Sequence, residues 1–256
     1  MLVSVESTQG SVPREAGAWM AVLAGQVIGT IGGGHLEFEA IAEARRRLAQ
    51  RADAAAAAPP AVRRFALGPS LGQCCGGVVH LRFERVAAAD APALRRRLQP
   101  PRQPLALFGG GHVGAALARV LAPLPFAVTW IDSRDGIFPE PVPPGIVCEH
   151  SDPVHAAVRD LPHGARVLIM SFSHAEDLDI VAACLQRLRA DPQALPYVGL
   201  IGSRTKWATF RHRLAERGFG DGELARVTCP IGIPGIGGKE PEVIAVAVAA
   251  QLLLAA

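Results

Sequence analysis

"LALFGGGHVGAALARVL" (105–121) is the stretch that decides the fold of most of this chain. Gly109, Gly111 and Gly114 fit the pattern G-x-G-x-x-G, between an apolar strand and the start of a helix. Asp132 ends the next apolar run, about 20 residues further on, where an acidic side chain can hold a ribose hydroxyl. Strand, glycine turn, helix and distal acid together predict a Rossmann-type domain.

The same glycine turn is a candidate cofactor site. Its glycines, Gly110 among them, let a ligand approach the backbone, and the amides at the helix start favour a phosphate. His112 lies inside the turn, where its side chain can contact a pyrophosphate or a different anion. A dinucleotide such as NAD(P) and another phosphate-bearing ligand both remain open, because a fold does not dictate its ligand.

Around this turn, short apolar runs alternate with helical patterns, which is typical of a parallel sheet covered on both faces. The predicted strands are 104–109, 126–132, 145–149, 166–172 and 197–202. The predicted helices are 112–121, 153–159, 175–190, 204–217 and a last one from about Glu240. That last helix is apolar almost all round, so we expect it to be buried against the sheet or a second subunit.

The first part of the chain has a different pattern, in which strands predominate over helices. Its predicted strands are 2–8, 18–23, 26–32, 61–68 and 77–86, with one helix over 35–50. The apolar stripe of that helix is predicted to contain Phe38, Ile41 and Leu48. We therefore predict an α/β chain in which a small N-terminal α+β domain (1–86) and a proline-rich linker (87–104) precede the Rossmann-like domain (105–256).

Composition narrows the class of protein. Half of the 256 residues are hydrophobic and 19% are charged, as in a folded globular chain. Because no window is apolar enough for a bilayer span and the start lacks the layout of a secretory signal, we expect a soluble cytoplasmic protein without membrane contact. The arginine runs 45–47 and 95–97 lie at helix ends without an aromatic-studded basic face, which argues against nucleic-acid binding.

The segment "GPSLGQCCGGVV" (68–79) places Cys74 and Cys75 side by side in a glycine-flanked turn. Buried packing is the usual role of a cysteine, but these flanks offer little to pack against. A thiolate among backbone amides has a lowered pKa and can bind a soft metal or take up sulfur. Cys148 and Cys184, in contrast, are predicted to be core residues of a strand and a helix.

Three further segments carry candidate binding residues. The turn "GTIGGGHLEFEA" (29–40) offers the amides of Gly33 and Gly34 as an anion site, or is a plain strand–helix turn. His174 follows a predicted strand, at the sheet edge where α/β folds bind ligands, although the preceding serine also suits a simple helix cap. Lys239 closes a glycine-proline loop and is a candidate phosphate contact.

Several of these segments together resemble the xanthine dehydrogenase accessory protein family, XdhC/CoxI. The matching stretches are "GSVPREAGAWM", "GTIGGGHLE", "LGPSLGQCCGG", "LFGGGHVG", "WIDSRDGIFPE", "YVGLIGSRTKWATFRHRL" and "CPIGIPGIGGKEPEVIA". They run through nearly the whole chain in the order of the family. The chain departs from the family at Phe172, where a histidine is usual.

The resemblance implies a non-catalytic chaperone for molybdenum cofactor (molybdopterin). Such a protein protects the cofactor, supports its sulfuration by a cysteine desulfurase, and passes it to the molybdenum-binding subunit of xanthine dehydrogenase. It also implies a functional cysteine at Cys74 or Cys75, which we expect to act as a soft ligand to molybdenum. We expect a homo-oligomer with the cofactor held between the two domains.

Two other functions remain open on the sequence. An NAD(P)-dependent oxidoreductase would use the glycine turn and Asp132, with His174 as acid or base. A redox-sensing module would use Cys74 and Cys75 as a thiol switch.

Overall fold

The computed structural model describes residues 1–50, 60–68, 76–99 and 101–255. The chain divides into two compact units, Met1–Gln99 and Pro100–Ala256, and each is described by itself. This division falls inside the proline-rich segment 87–104, where a short helix occupies Ala91–Leu98.

The first unit is built on an antiparallel sheet. Its strands are β1 (Leu2–Gln9), β2 (Trp19–Val22), β3 (Val27–Gly29), β4 (Ala61–Ala66) and β5 (Val78–Glu84). They lie in the order β3-β2-β1-β5-β4. The backbone N–H of Leu23 donates to the carbonyl oxygen of Gln26 in the hairpin between β2 and β3 (2.9 Å).

One face of this sheet is covered by helix α1 (Gly34–Ala49). The predicted stripe is wrong at Phe38, which is 70% exposed, whereas Ile41 is partly buried against the core. The fully buried residues of the helix are Leu36, Ala40 and Ala44. These residues recur at helical spacing, and the two alanines let the helix approach the sheet closely. Glu43 is also buried, beside Arg46 and Arg47.

The second unit contains a parallel sheet. Its strands are β6 (Gln103–Phe108), β7 (Phe126–Asp132), β8 (Ile146–His150), β9 (Arg166–Ile169), β10 (Tyr197–Leu200) and β11 (Val227–Thr228). They lie in the order β8-β7-β6-β9-β10-β11. The chain thus reverses direction across the sheet between β6 and β9, and the crevice at the carboxyl ends of these strands is where such folds bind ligands.

Helices cover the two faces of this sheet, over two separate apolar cores. After α2 (Ala91–Leu98) they are α3 (His112–Leu121), α4 (His174–Ala190), α5 (Arg204–Glu216), α6 (Asp221–Leu224) and α7 (Pro241–Leu254). The predicted helix over 153–159 is a 3₁₀ helix, Val154–Asp160. The short elements α6 and β11 are not among the sequence predictions.

The last helix is buried on one side only. Ala245, Val248 and Leu252 of α7 join the core, whereas Val246 and Leu254 are 55% and 77% exposed. The helix is therefore buried against this unit, as expected, but along one face only. Each helix of the described residues is too short or too polar to pass through a bilayer.

Candidate functional site

The glycine turn after β6 is held by backbone contacts that exclude side chains. Gly109 has a φ of +119°, and a Cβ there would lie 2.0 Å from the carbonyl oxygen of Met170. A Cβ on Gly114 would lie 2.0 Å from the carbonyl oxygen of Gly109. The indole Nε1 of Trp130 donates to that same carbonyl (2.8 Å). These two glycines are therefore required for the turn itself.

Gly111 is different, because a Cβ there would meet open space. It is the N-cap residue of α3, and both it and His112, the first helical residue, are exposed. The open position coincides with the positive end of the helix, where free backbone N–H groups favour an anion. The structure thus leaves room for a phosphate at the position the sequence predicts.

Asp132 lies beside this turn but is already fully engaged. Its Oδ2 accepts from the N–H of Gly110 (2.6 Å) and from Nη2 of Arg134 (2.9 Å). Its Oδ1 accepts from the backbone N–H (2.8 Å) and Nε (2.9 Å) of Arg134. A carboxylate offers about four acceptor positions, so none is left for a ribose hydroxyl. These contacts give Asp132 a structural role, and its expected ribose contact stays a prediction.

The ionisation of Asp132 fits this role. Burial of the carboxyl, which is 2% exposed, disfavours its charged form. The hydrogen bonds from Arg134 and Gly110 outweigh burial and hold the pKa of Asp132 below its usual value. Asp132 is therefore a charged brace that fixes the glycine turn to the end of β7.

A second bridge crosses the same crevice. The Oγ of Ser133, directly after β7, donates to Oε1 of Glu176 on α4 (2.6 Å). Since β6 lies between β7 and β9, this hydrogen bond spans the carboxyl end of β6, from which the glycine turn emerges. The guanidinium of Arg134 stacks on the ring of Phe172, 4.6 Å from its centroid. Phe172 itself is 65% exposed.

The ends of β9 and β10 are joined by a buried ion pair. Nζ of Lys206 donates to Oδ2 of Asp177 (2.6 Å) and to the carbonyl oxygen of Ile201 (2.9 Å). Oδ1 of Asp177 accepts from both the backbone N–H and the Oγ of Ser171 (2.8 Å each). The Asp177 and Lys206 side chains are 3% and 12% exposed, so the pair is shielded from water.

Two predicted site residues lie apart from the glycine turn in these contacts. His174 is exposed, and its ring meets Phe210 of α5 edge to face, on the β10 side of the sheet. The adjacent Ser173 acts as the N-cap of α4 and accepts from the N–H of Glu176 (3.2 Å). Lys239 is exposed in the loop before α7 and makes no ion pair with the described residues.

In the first unit, the side-chain carboxylate of Glu37 binds to the turn at Gly33 and Gly34. Oε2 of Glu37 accepts from the N–H of Ile31 (3.0 Å) and of Gly33 (3.2 Å), and from Oγ1 of Thr30. Burial opposes ionisation, but these bonds hold the pKa of Glu37 below its usual value. This contact favours the plain strand–helix turn, the alternative that the sequence left open, and an anion site at Gly33 and Gly34 stays a prediction.

Cys74 and Cys75 lie outside the described residues, so their roles stay predictions. Cys184 is fully buried, as predicted, and burial raises the pKa of its thiol to about 12. Cys148 is partly buried on β8, and burial raises its pKa as well. Among the described residues no three or more His, Cys, Asp or Glu side chains cluster to hold a metal ion.

Five side chains that make the contacts described above are not among the residues predicted from the sequence. These are Glu37, Ser133, Arg134, Glu176 and Lys206. A weak signal existed for Lys206, which is one of only two lysines in the chain and follows a predicted strand. Glu176 follows Ser173 by three residues, which is the spacing of a helix-capping pair. From the sequence alone, this spacing explains Glu176 without any further role.

The parallel sheet, its strand order and the glycine turn at the reversal point define the second unit as a Rossmann-type nucleotide-binding fold. The model of the XdhC Rossmann domain matches residues 105–252, and that of the XdhC and CoxI family matches residues 1–57. The chain therefore belongs to the XdhC family.

Known relatives agree with the fold. The chain is 27% identical to the uncharacterized protein YqeB of Escherichia coli (strain K12) over 98% of its own length, and it spans 42% of that protein. A crystal structure described as a xanthine dehydrogenase from Bacillus halodurans superposes with a TM-score of 0.76 at 18% identity. That alignment covers 99% of this chain and 90% of the other, and it shows a shared fold.

Proposed function

We propose that the protein is a cytoplasmic carrier of molybdenum cofactor. It binds the cofactor, protects it, supports its sulfuration by a cysteine desulfurase, and delivers it to the molybdenum-binding subunit of xanthine dehydrogenase or a related hydroxylase. A homo-oligomer remains part of this proposal. The observation that carries it is family membership across both parts of the chain, residues 1–57 and 105–252.

The geometry of the second unit supports a phosphate-bearing cargo. Molybdopterin carries a phosphate, and Gly111 leaves open space at the start of α3 where backbone N–H groups favour one. Cys74 and Cys75 are the proposed soft ligands to molybdenum, because thiolates suit such metals. Gly109, Gly110 and Gly114 then shape the turn rather than contact the cargo.

The competing function, an NAD(P)-dependent oxidoreductase, is disfavoured by the side chains around the turn. A nicotinamide dinucleotide requires an acceptor for its ribose hydroxyls, but the carboxylate of Asp132 is filled by Arg134 and Gly110. His174, the candidate acid or base, packs edge to face on Phe210. These contacts support the carrier over the oxidoreductase.

The cysteine double variant Cys74→Ala/Cys75→Ala tests the proposal. If the thiolates hold molybdenum, this variant retains less molybdenum cofactor after gel filtration than the wild type. It also activates apo-xanthine dehydrogenase at least about tenfold more weakly, the loss of one good ligand contact. Retained molybdenum is measured by elemental analysis, and activation by xanthine oxidation.

Cys148→Ala is the matched control, because it removes a thiol from β8 at the far edge of the second sheet. It is expected to leave retention and activation unchanged. If the double variant behaved like this control, the two cysteines would have no part in carrying the cofactor. If the wild type retained no molybdenum cofactor, the carrier function itself would be wrong.

A further inference from the structure

One carboxylate oxygen at the carboxyl ends of the parallel strands lacks a hydrogen-bond donor among the described residues. Oε2 of Glu176 is fully buried and has no hydrogen-bond partner among the described residues. Its other oxygen, Oε1, accepts from Ser133 (2.6 Å). A buried carboxylate oxygen without a donor is unfavourable, so such an atom points to a donor that binds there.

The position of Glu176 is that of a ligand-binding residue. It stands in the first turn of α4, directly after β9, and its bond to Ser133 passes over the carboxyl end of β6. It therefore lies at the reversal point of the sheet, beside the glycine turn. Oε2 takes no part in the N-cap of α4 or in the hydrogen bonds between Asp132 and Arg134.

A metal ion fits this oxygen poorly. No cluster of metal-ligating side chains occurs in the described part of the chain. The guanidinium of Arg134 is also close enough to Glu176 for their charges to interact, which repels a second cation. A neutral N–H donor does not suffer this repulsion and satisfies the oxygen equally well.

The surroundings favour a flat donor. Phe172 is an exposed ring, and Arg134 stacks on it with its guanidinium 4.6 Å from the ring centroid. Phe172 lies on the surface, so its ring can shift to admit a planar ring and then pack on one face of it, while Arg134 keeps its hydrogen bonds to Asp132. A planar heterocycle with two adjacent N–H groups would bind the carboxylate through both oxygens.

We propose that Glu176 is a specificity residue that binds the 2-amino-4-oxopyrimidine edge of a pterin ring, stacked against Phe172. The edge presents an amino group and a ring N–H side by side, which matches a carboxylate in two hydrogen bonds. The choice of a pterin rests on the proposed function. The same edge occurs in guanine, so the test separates the two sources.

The test measures binding of free rings to the full-length chain by equilibrium dialysis. Pterin is compared with lumazine, which carries an oxo group in place of the 2-amino group. Guanosine is compared with inosine, which lacks the 2-amino group. The wild type is expected to bind pterin at least about tenfold more tightly than lumazine, since the carboxylate cannot pair with a carbonyl.

The variant Glu176→Gln reverses the polarity of one contact. Its amide N–H can donate to the carbonyl of lumazine, so the preference for pterin is expected to fall by about tenfold or to invert. Glu216→Gln makes the same change at an exposed position of α5 and is expected to leave the preference intact. Thermal melting verifies that both variants fold.

Equal binding of pterin and lumazine, absence of pterin binding, or an unchanged preference in Glu176→Gln would each overturn the inference. Discrimination confined to guanosine would overturn the pterin source. Retention of molybdenum cofactor is scored separately. A chain that carries the cofactor without this discrimination refutes the Glu176 contact alone, and one that discriminates but carries no cofactor refutes the proposed function alone.

Discussion

At the scale of single residues, the glycines of one turn have unequal tasks. Gly109 and Gly114 are packed against backbone, whereas Gly111 faces open space. The pattern G-x-G-x-x-G marks all three alike, so the sequence locates the turn but cannot tell which glycine is left for a ligand. That distinction depends on Met170, which directly follows β9, and on Trp130, which lies on β7.

Substituting these glycines by alanine separates folding from binding. Gly114→Ala drives a Cβ into the carbonyl of Gly109, 2.0 Å away, and is expected to destabilise the chain by about 3 kcal/mol or more. Gly111→Ala meets no atom and keeps a φ of −70°, so it is expected to cost about 1 kcal/mol or less. Denaturant unfolding of both variants measures the difference.

Gly111→Ala is also expected to weaken retention of molybdenum cofactor, because its Cβ occupies the space proposed for the phosphate. If it unfolded as readily as Gly114→Ala, the turn would be packed differently from this description. If it bound the cofactor as tightly as the wild type, the phosphate would lie elsewhere.

At the scale of elements, periodicity predicted the long helices and the strands of both sheets to within a few residues. It could not reveal α6 and β11, which are too short to show a period. It also placed Phe38 of α1 inward, because apolarity favours this side chain, whereas the residues buried against the sheet include Ala40 and Ala44. Contact with a neighbouring element, not local pattern, selects the buried face.

The ion pair between α4 and α5 ties two elements of the second unit together. Asp177→Asn removes the only charge partner shown for the buried Lys206 among the described residues, and is expected to cost about 3–5 kcal/mol. The control, Asp221→Asn, makes the same change in the exposed pair with Arg211 and is expected to cost about 1 kcal/mol or less. Urea unfolding at neutral pH compares them, and equal losses would show that the Asp177–Lys206 pair is not shielded.

At the scale of the whole molecule, the sequence predicted the two fold types and the place of the glycine turn. It also predicted an acid near that turn, but not that Arg134 and Gly110 would occupy every acceptor position of Asp132. Such occupancy arises only when β6, β7 and the loop after β7 are assembled. This tertiary detail is the reason for which we propose a ligand other than NAD(P) at the turn.

A native mass spectrum of the chain, purified from a molybdenum-replete host, tests directly whether the protein carries molybdenum cofactor. We expect an added mass that equals molybdenum cofactor and that persists when NAD and NADPH are supplied in excess. An added mass of NAD(P), with no molybdenum species under the same conditions, would contradict it.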